Sequence, residues 1–257
     1  MGMIKLPIGS IKFFEENYSE IFETGNLAEG KWSKKISKWT NDYTNSKYAI
    51  PVNSNGSGIL AILRILKEYY KKDKIFLQSN TMYGVRTIAI TSGLNLSGYV
   101  DCSLETLMPS IKQFEAFVET LDSPEKSVFL LTHIGGWINP DIKEISNLCD
   151  KKGISLVEDC AHSLGSTFDS EHSGLFGMAG VYSLYATKAI PAGEGGIIVT
   201  NNSELAHKIE KFVIYDRFEQ ELDIGINFRM SELNALLSFS VLKNTEQIID
   251  NKYKIAK

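Results

Sequence analysis

Short runs of β-branched and aromatic residues alternate with amphipathic stretches along this 257-residue chain, and no other feature constrains its fold as strongly. The apolar runs occupy residues 48–52, 75–77, 95–100, 127–132, 154–157, 181–184 and 196–200. Helical periodicity marks residues 57–69, 83–91, 110–120, 140–151 and 203–214. Strand–helix alternation of this kind predicts an α/β fold: a three-layer α/β/α domain around a mostly parallel, mixed seven-stranded sheet. Residues 11–22 and 31–43 read as helices packed outside the sheet, and residues 231–257 read as one long terminal helix.

Composition narrows the function classes. Hydrophobic residues make up 43% and charged residues 23%, an ordinary balance for a globular domain. A net charge of −4 with no dominant basic patch argues against a nucleic-acid partner. The short basic run at residues 71–74 reads as a solvated helix end. No apolar run is long enough for a membrane helix, and the N-terminus lacks a secretory apolar core. Cys102, Cys149 and Cys160 are odd in number and unpatterned, which fits a reducing cytoplasm. Cys160 reads as a small buried residue after a strand, not as a nucleophile.

Ligands of open α/β sheets collect beyond the carboxyl ends of the strands, and the chemically capable residues fall there. The run at 154–157 delivers Glu158 and Asp159, and the run at 180–184 delivers Ser183 and, a turn later, Lys188. A glycine-rich turn with Gly193, Gly195 and Gly196 follows. Pyridoxal phosphate (PLP) chemistry uses this combination: a lysine for the Schiff base, an acid for the pyridine nitrogen and small residues for the phosphate. Asn55, Gly56, Ser57 and Gly58 stand between a strand and an apolar helix, where main-chain N–H groups can meet an anion. Each residue also has a plainer reading. The glycines serve turn chemistry, Asp159 caps a turn, His162 is a satisfied core histidine, Lys188 is a surface lysine, and Arg229 forms a helix-start salt bridge. Ser231 with Asn234 reads as helix-entry chemistry.

Five ordered segments, NSNGSGILAIL, THIGGWINPDIKEI, VEDCAHSLGSTF, SLYATKAIPAGEGGIIVTNN and GINFRMSELNALL, resemble the DegT/StrS group of PLP-dependent sugar aminotransferases, of fold type I. The resemblance covers nearly the whole chain. It implies a PLP-binding large domain over residues 1–240, with 241–257 beginning the helix that leads to a C-terminal small domain. By the same resemblance the chain lacks that small domain, being a natural short form, a truncated one, or one whose missing wall a partner supplies. It implies that Lys188 forms the Schiff base and that Asp159 meets the ring nitrogen. Gly56, Ser57, Gly58 and Ser183 would take the phosphate, and His162 would lie near the ring. Asn227 and Arg229 would reach the neighbouring subunit's site, making a homodimer with shared sites. Met82 stands where the family carries a ring-stacking aromatic residue, and a thioether can pack on a ring. The implied reaction moves an amino group from an amino-acid donor, glutamate by family habit, to a nucleotide-linked keto sugar. Such chemistry serves surface-polysaccharide, lipopolysaccharide or glycan biosynthesis. PLP-dependent sugar dehydratases of the family replace the Schiff-base lysine with histidine, so Lys188 counts against that activity. A non-catalytic relative that keeps the scaffold is the main rival, and an α/β binding module without PLP is a distant third.

Overall fold

The computed structural model describes residues 5–256. Two helices lead the chain, α1 (Ile8–Thr24) and α2 (Lys31–Thr44). Alternation then begins with β1 (Tyr48–Val52), α3 (Asn55–Tyr69), β2 (Lys74–Gln78) and α4 (Tyr83–Thr91). It continues through β3 (Asn95–Val100), α5 (Ile111–Val118), β4 (Ser127–Thr132), α6 (Ile142–Lys152) and β5 (Ser155–Cys160). A short hairpin, β6 (Thr167–Phe168) and β7 (Glu171–His172), precedes β8 (Ala179–Ser183) and β9 (Gly196–Thr200). Helices α7 (Ser203–Phe212), α8 (Glu232–Leu242) and α9 (Thr245–Ala256) follow.

The seven long strands form one sheet in the order β1-β9-β8-β5-β4-β2-β3. Strand β9 pairs antiparallel with β1 and β8, while the other pairs are parallel. This is the expected mixed, mostly parallel sheet. Pleating sends alternate residues to opposite layers. Val128 and Leu130 of β4 pack with Ile59, Ile62 and Leu66 of α3 and with α4 and α7. Phe129 and Leu131 pack instead with Phe114 of α5 and Ile142 of α6. Toward β8 and β9, that second layer is completed by Trp32 and Ile36 of α2 and Leu236 of α8. Burying each such Ile or Leu contributes roughly 1.5–3 kcal/mol relative to exposure.

Three elements differ from what the sequence pattern predicts. First, the terminal segment is two helices, not one. Asn244 turns its side-chain amide to Ser240 O (2.9 Å) and Ser10 Oγ (3.0 Å), and Thr245 Oγ1 donates to Leu242 O (2.7 Å). Such bonds offer the backbone an alternative to a continuing helix. Val241 and Leu242, expected to begin a departing helix, belong to the buried core. Second, the β6–β7 hairpin was not anticipated; Asp169 and Ser170 turn it with positive φ values of 49° and 67°, in place of the usual Asn-Gly. Third, β5 continues through Cys160, so Glu158 and Asp159 lie inside the strand and not beyond it.

One long-range contact ties the helices together. Gly30 precedes α2 and has no side chain to cap it. The carboxylate of Glu232, at the start of α8, takes that role: it accepts from Trp32 N–H (2.9 Å), Ser33 N–H (3.0 Å) and the Ser33 hydroxyl (2.7 Å). A carboxylate there also meets the positive end of the helix dipole. Glu232→Ala is expected to lower stability by about 2 kcal/mol, because three donors lose a charged acceptor. Urea unfolding of the two proteins measures this, and an unchanged midpoint would show the cap to be dispensable.

Candidate functional site

The pleat of β5 separates its two acids. Val157 and Asp159 face the α3 layer, while Leu156, Glu158 and Cys160 face the other side. Glu158, fully buried, accepts from the main-chain N–H groups of Gly174 and Gly177 at 2.7 Å each and pairs with His133 Nε2 at 2.8 Å. His133, Glu158 and Cys160 lie within 4.8 Å of one another, as metal ligands would. Both Glu158 oxygens are already engaged, so the three form a satisfied structural node. Of the two acids, only Asp159 serves the site.

Asp159 is paired in register with Val181 of β8, which places Ser183 on the same face two residues further along. The first turn of α3 abuts both strand ends. Its approach depends on glycines: a Cβ on Gly196 would lie 2.6 Å from the backbone of Ser54, and one on Gly58 would lie 2.7 Å from Val181 Cγ1. Beyond β8 the chain loops back on itself, with Leu184 N–H donating to Gly195 O and Ala186 N–H to Gly193 O, both at 2.9 Å. Gly193 (φ 88°) and Gly195 (φ 150°) adopt backbone angles that favour glycine. Lys188 sits in this loop, its N–H bonded to Tyr185 O at 2.9 Å.

Together these elements enclose a cavity of about 350 Å³. Six of the sequence-derived residues line it: Gly56, Met82, Asp159, His162, Ser183 and Lys188. Asn55, expected at the anion-facing start of α3, lines it as well; Thr132, Tyr185 and Glu194 also line it, and linear spacing had not marked those three. The side-chain role of Asn55, the first residue of α3, carried no signal in the sequence.

Four expected site residues fall elsewhere. Ser57 donates its N–H to Ser54 Oγ (3.0 Å) as part of the helix cap, and its hydroxyl bonds Ser54 and Asn53. Gly58 commits its N–H to Ser54 O and packs α3 closely on the sheet, outside the lining of this cavity. Asn227 accepts Arg229 N–H (3.3 Å) and bridges to Ile214. Arg229 places Nε 3.8 Å from Glu29 Oε1, the salt bridge of its plainer reading, while its buried Nη1 has no partner among the described residues.

Electrostatics of the cavity follow from burial. Burial pushes the Asp159 carboxyl above the ordinary range; the Ala161 N–H, Asn55, His162 and Lys188 pull it back. Lys188 is lowered by burial, partly offset by Asp159. His162 is lowered by burial and then by Lys188. Gly135 N–H donates to His162 Nδ1 at 3.3 Å, which leaves Nε2 as the protonated nitrogen of the neutral ring.

The set therefore offers a poised amine, a buried acid and an anion-binding end. The first N–H groups of α3, at Asn55 and Gly56, have no intrahelical acceptor. Ser183 Oγ accepts Tyr185 N–H (3.3 Å) and retains its own hydrogen to donate. A flat aromatic ligand bearing a carbonyl, a basic ring nitrogen and a phosphate matches this donor set.

Comparison with known proteins agrees with that chemistry. A curated relative from Helicobacter pylori (strain ATCC 700392 / 26695), UDP-4-amino-4,6-dideoxy-N-acetyl-beta-L-altrosamine transaminase, is 26% identical over 243 residues. The match takes in 92% of this chain but 63% of the relative, so the chain spans less than two thirds of that protein's length. The solved structure of Helicobacter pylori PseC, an aminotransferase involved in the biosynthesis of pseudoaminic acid, superposes with a TM-score of 0.82 at 25% identity, covering 95% of this chain and 64% of that one. The E coli GDP-4-keto-6-deoxy-D-mannose-3-dehydratase with bound hydrated PLP shares the fold at a TM-score of 0.82 and 22% identity, covering 99% of this chain and 70% of that one. A family model matches residues 10–257, and the chain belongs to the DegT/DnrJ/EryC1/StrS aminotransferase family.

Proposed function

We propose that the chain holds PLP in this cavity and moves an amino group from an amino acid, glutamate in the first instance, to a nucleotide-linked keto sugar. One observation carries the reading: Asp159, Lys188 and the first turn of α3 converge on a single cavity of about 350 Å³. Bound there, PLP supplies an electron sink for the carbon that loses a proton. Asp159 holds the ring nitrogen through a charge-assisted bond. Asn55 N–H, Gly56 N–H and the Ser183 hydroxyl receive the phosphate. Met82, 65% exposed at the mouth, offers its thioether to a ring face. His162 presents Nε2–H to the cavity. Lys188, whose pKa burial lowers and Asp159 partly restores, anchors the cofactor and takes and returns the proton at the substrate's α-carbon.

The family and the sugar nucleotide in the name of the H. pylori relative support a keto-sugar acceptor, and such chemistry would serve surface-polysaccharide, lipopolysaccharide or glycan biosynthesis. Asn227 and Arg229 lie outside this cavity, and Arg229 carries an unpartnered nitrogen. This supports a homodimer in which those two side chains serve the other copy's site. The three free thiols accord with a cytoplasmic enzyme. Lys188 argues against dehydration, which the family conducts with histidine at that position. A second reading, a relative that holds PLP without turnover, draws on Met82 in place of an aromatic residue.

Titration of the protein with PLP is expected to produce a visible absorption band that borohydride fixes covalently on Lys188, and Lys188→Ala loses both. Glutamate then discharges the band, and a keto sugar nucleotide restores it. A protein that never gains the band overturns the reading; a band that no amino acid discharges favours the non-catalytic alternative. His162 is expected to titrate below the ordinary histidine value, with Nε2 carrying the hydrogen, in long-range ¹H–¹⁵N spectra. Lys188→Met removes a positive neighbour and raises that midpoint. A drop on the same substitution would contradict the assigned electrostatics.

A further inference from the structure

The two oxygens of Asp159 are unequally partnered. Oδ1 accepts from Ala161 N–H at 3.1 Å and from Asn55 Nδ2 at 3.2 Å. Oδ2 has the Thr132 hydroxyl at 3.5 Å, and that hydroxyl has a closer partner in Thr81 at 2.8 Å. The Asn55 amide is itself anchored: Nδ2 donates at 2.8 Å to Val181 O, on the strand beside Asp159.

A carboxamide nitrogen carries two hydrogens in one plane. With one held by a main-chain carbonyl, the other is aimed at Oδ1 and cannot swing away. Serine has a single hydrogen to give and aspartate none, so neither serves both acceptors. Asn55 stands at the first position of α3, whose placement is fixed by the packing of Gly58 on Val181. Its side chain is thus held from both ends.

We propose that Asn55 is the positioning residue of this site: it fixes the plane of the Asp159 carboxylate and occupies Oδ1, leaving Oδ2 to accept from a ligand's N–H. Thr132 is the residue that yields, since its hydroxyl keeps Thr81 as a partner when Oδ2 is taken. The inference takes its ligand, the ring nitrogen of PLP, from the function proposed above, but its carboxylate geometry stands without it. The charged neighbours that face Asp159 are His162 and Lys188, while Glu158 and Cys160 lie on the other side of the sheet. These are unchanged in every variant below.

The test is a ¹³C titration of the Asp159 carboxyl in PLP-free protein, joined to PLP binding and thermal unfolding, for Asn55→Ala, Asn55→Ser and Thr132→Val. Loss of a hydrogen bond to a carboxylate destabilises the charged form, so the Asp159 midpoint is expected to rise by about one pH unit in Asn55→Ala. Asn55→Ser, which retains one donor, should shift it less, and Thr132→Val should shift it least. The PLP Kd should rise about tenfold in Asn55→Ala and stay near wild type in Thr132→Val. A purely structural asparagine would lower the unfolding temperature and leave the carboxyl midpoint in place; that result overturns the proposal. A Thr132→Val loss of affinity equal to that of Asn55→Ala overturns the assigned asymmetry of the two oxygens. Wild-type protein that takes up no PLP would refute the function proposed above, and the ligand-free titration would still decide the role of Asn55.

Discussion

Everything at this site depends on how two consecutive buried carboxylates are satisfied. Burying a charge is costly unless it is paired and hydrogen-bonded. The pleat of β5 divides the task by sending Glu158 and Asp159 to opposite faces. Glu158 receives two main-chain N–H groups and His133, a complete set of partners that locks the segment after β7 against the sheet. Asp159 receives an incomplete set, with one oxygen saturated and the other nearly bare. One acid stabilises structure and the other is available to a ligand, and a shift of one residue in register would exchange them.

The anion end of the cavity rests on close backbone approach. Gly58 lets α3 settle on Val181 and Ile198, and Gly196 lets β9 start beneath Ser54 and Asn55. Those contacts bring a helix N-terminus, a strand-end serine and the lysine loop to one point. Glycine at these positions serves packing more than turn flexibility, and any side chain there would push the α3 amides away from Asp159.

The sheet was legible because its inner strands β4, β8 and β9 are apolar runs buried on both faces, although edge strand β3 turns Asn95, Ser97 and Tyr99 to solvent. Lys188, Asp159 and Ser183 were legible because they lie at or shortly past the ends of such runs, where a parallel sheet collects its ligands. What escaped was set by contacts distant in sequence. Asn55 and Asp159 are 104 residues apart, and nothing local in either segment shows the bond between them. The break between α8 and α9 depends on Asn244 reaching Ser10 as well as Ser240, so apolar periodicity carried the helix through it. Gly58 is ambiguous in the sequence for a related reason. Helix N-termini that bind anions and helix N-termini that pack tightly both favour glycine, and only the distance to Val181 separates the two.

The electrostatics of the cavity are mutually dependent. Burial disfavours charge on Asp159, Lys188 and His162 alike, raising the acid and lowering the two bases. Asp159 and Lys188 support each other's charged forms, whereas Lys188 opposes a charge on His162. A cationic ring nitrogen placed against Oδ2 would compensate Asp159 more directly than Lys188 does. Lys188 would then no longer be needed as the counter-ion and would act as an amine, with His162 neutral and offering a hydrogen. A ligand that completed the partners of Asp159 would thus weaken its hold on the lysine's charge, a response that an acid as fully bonded as Glu158 could not give.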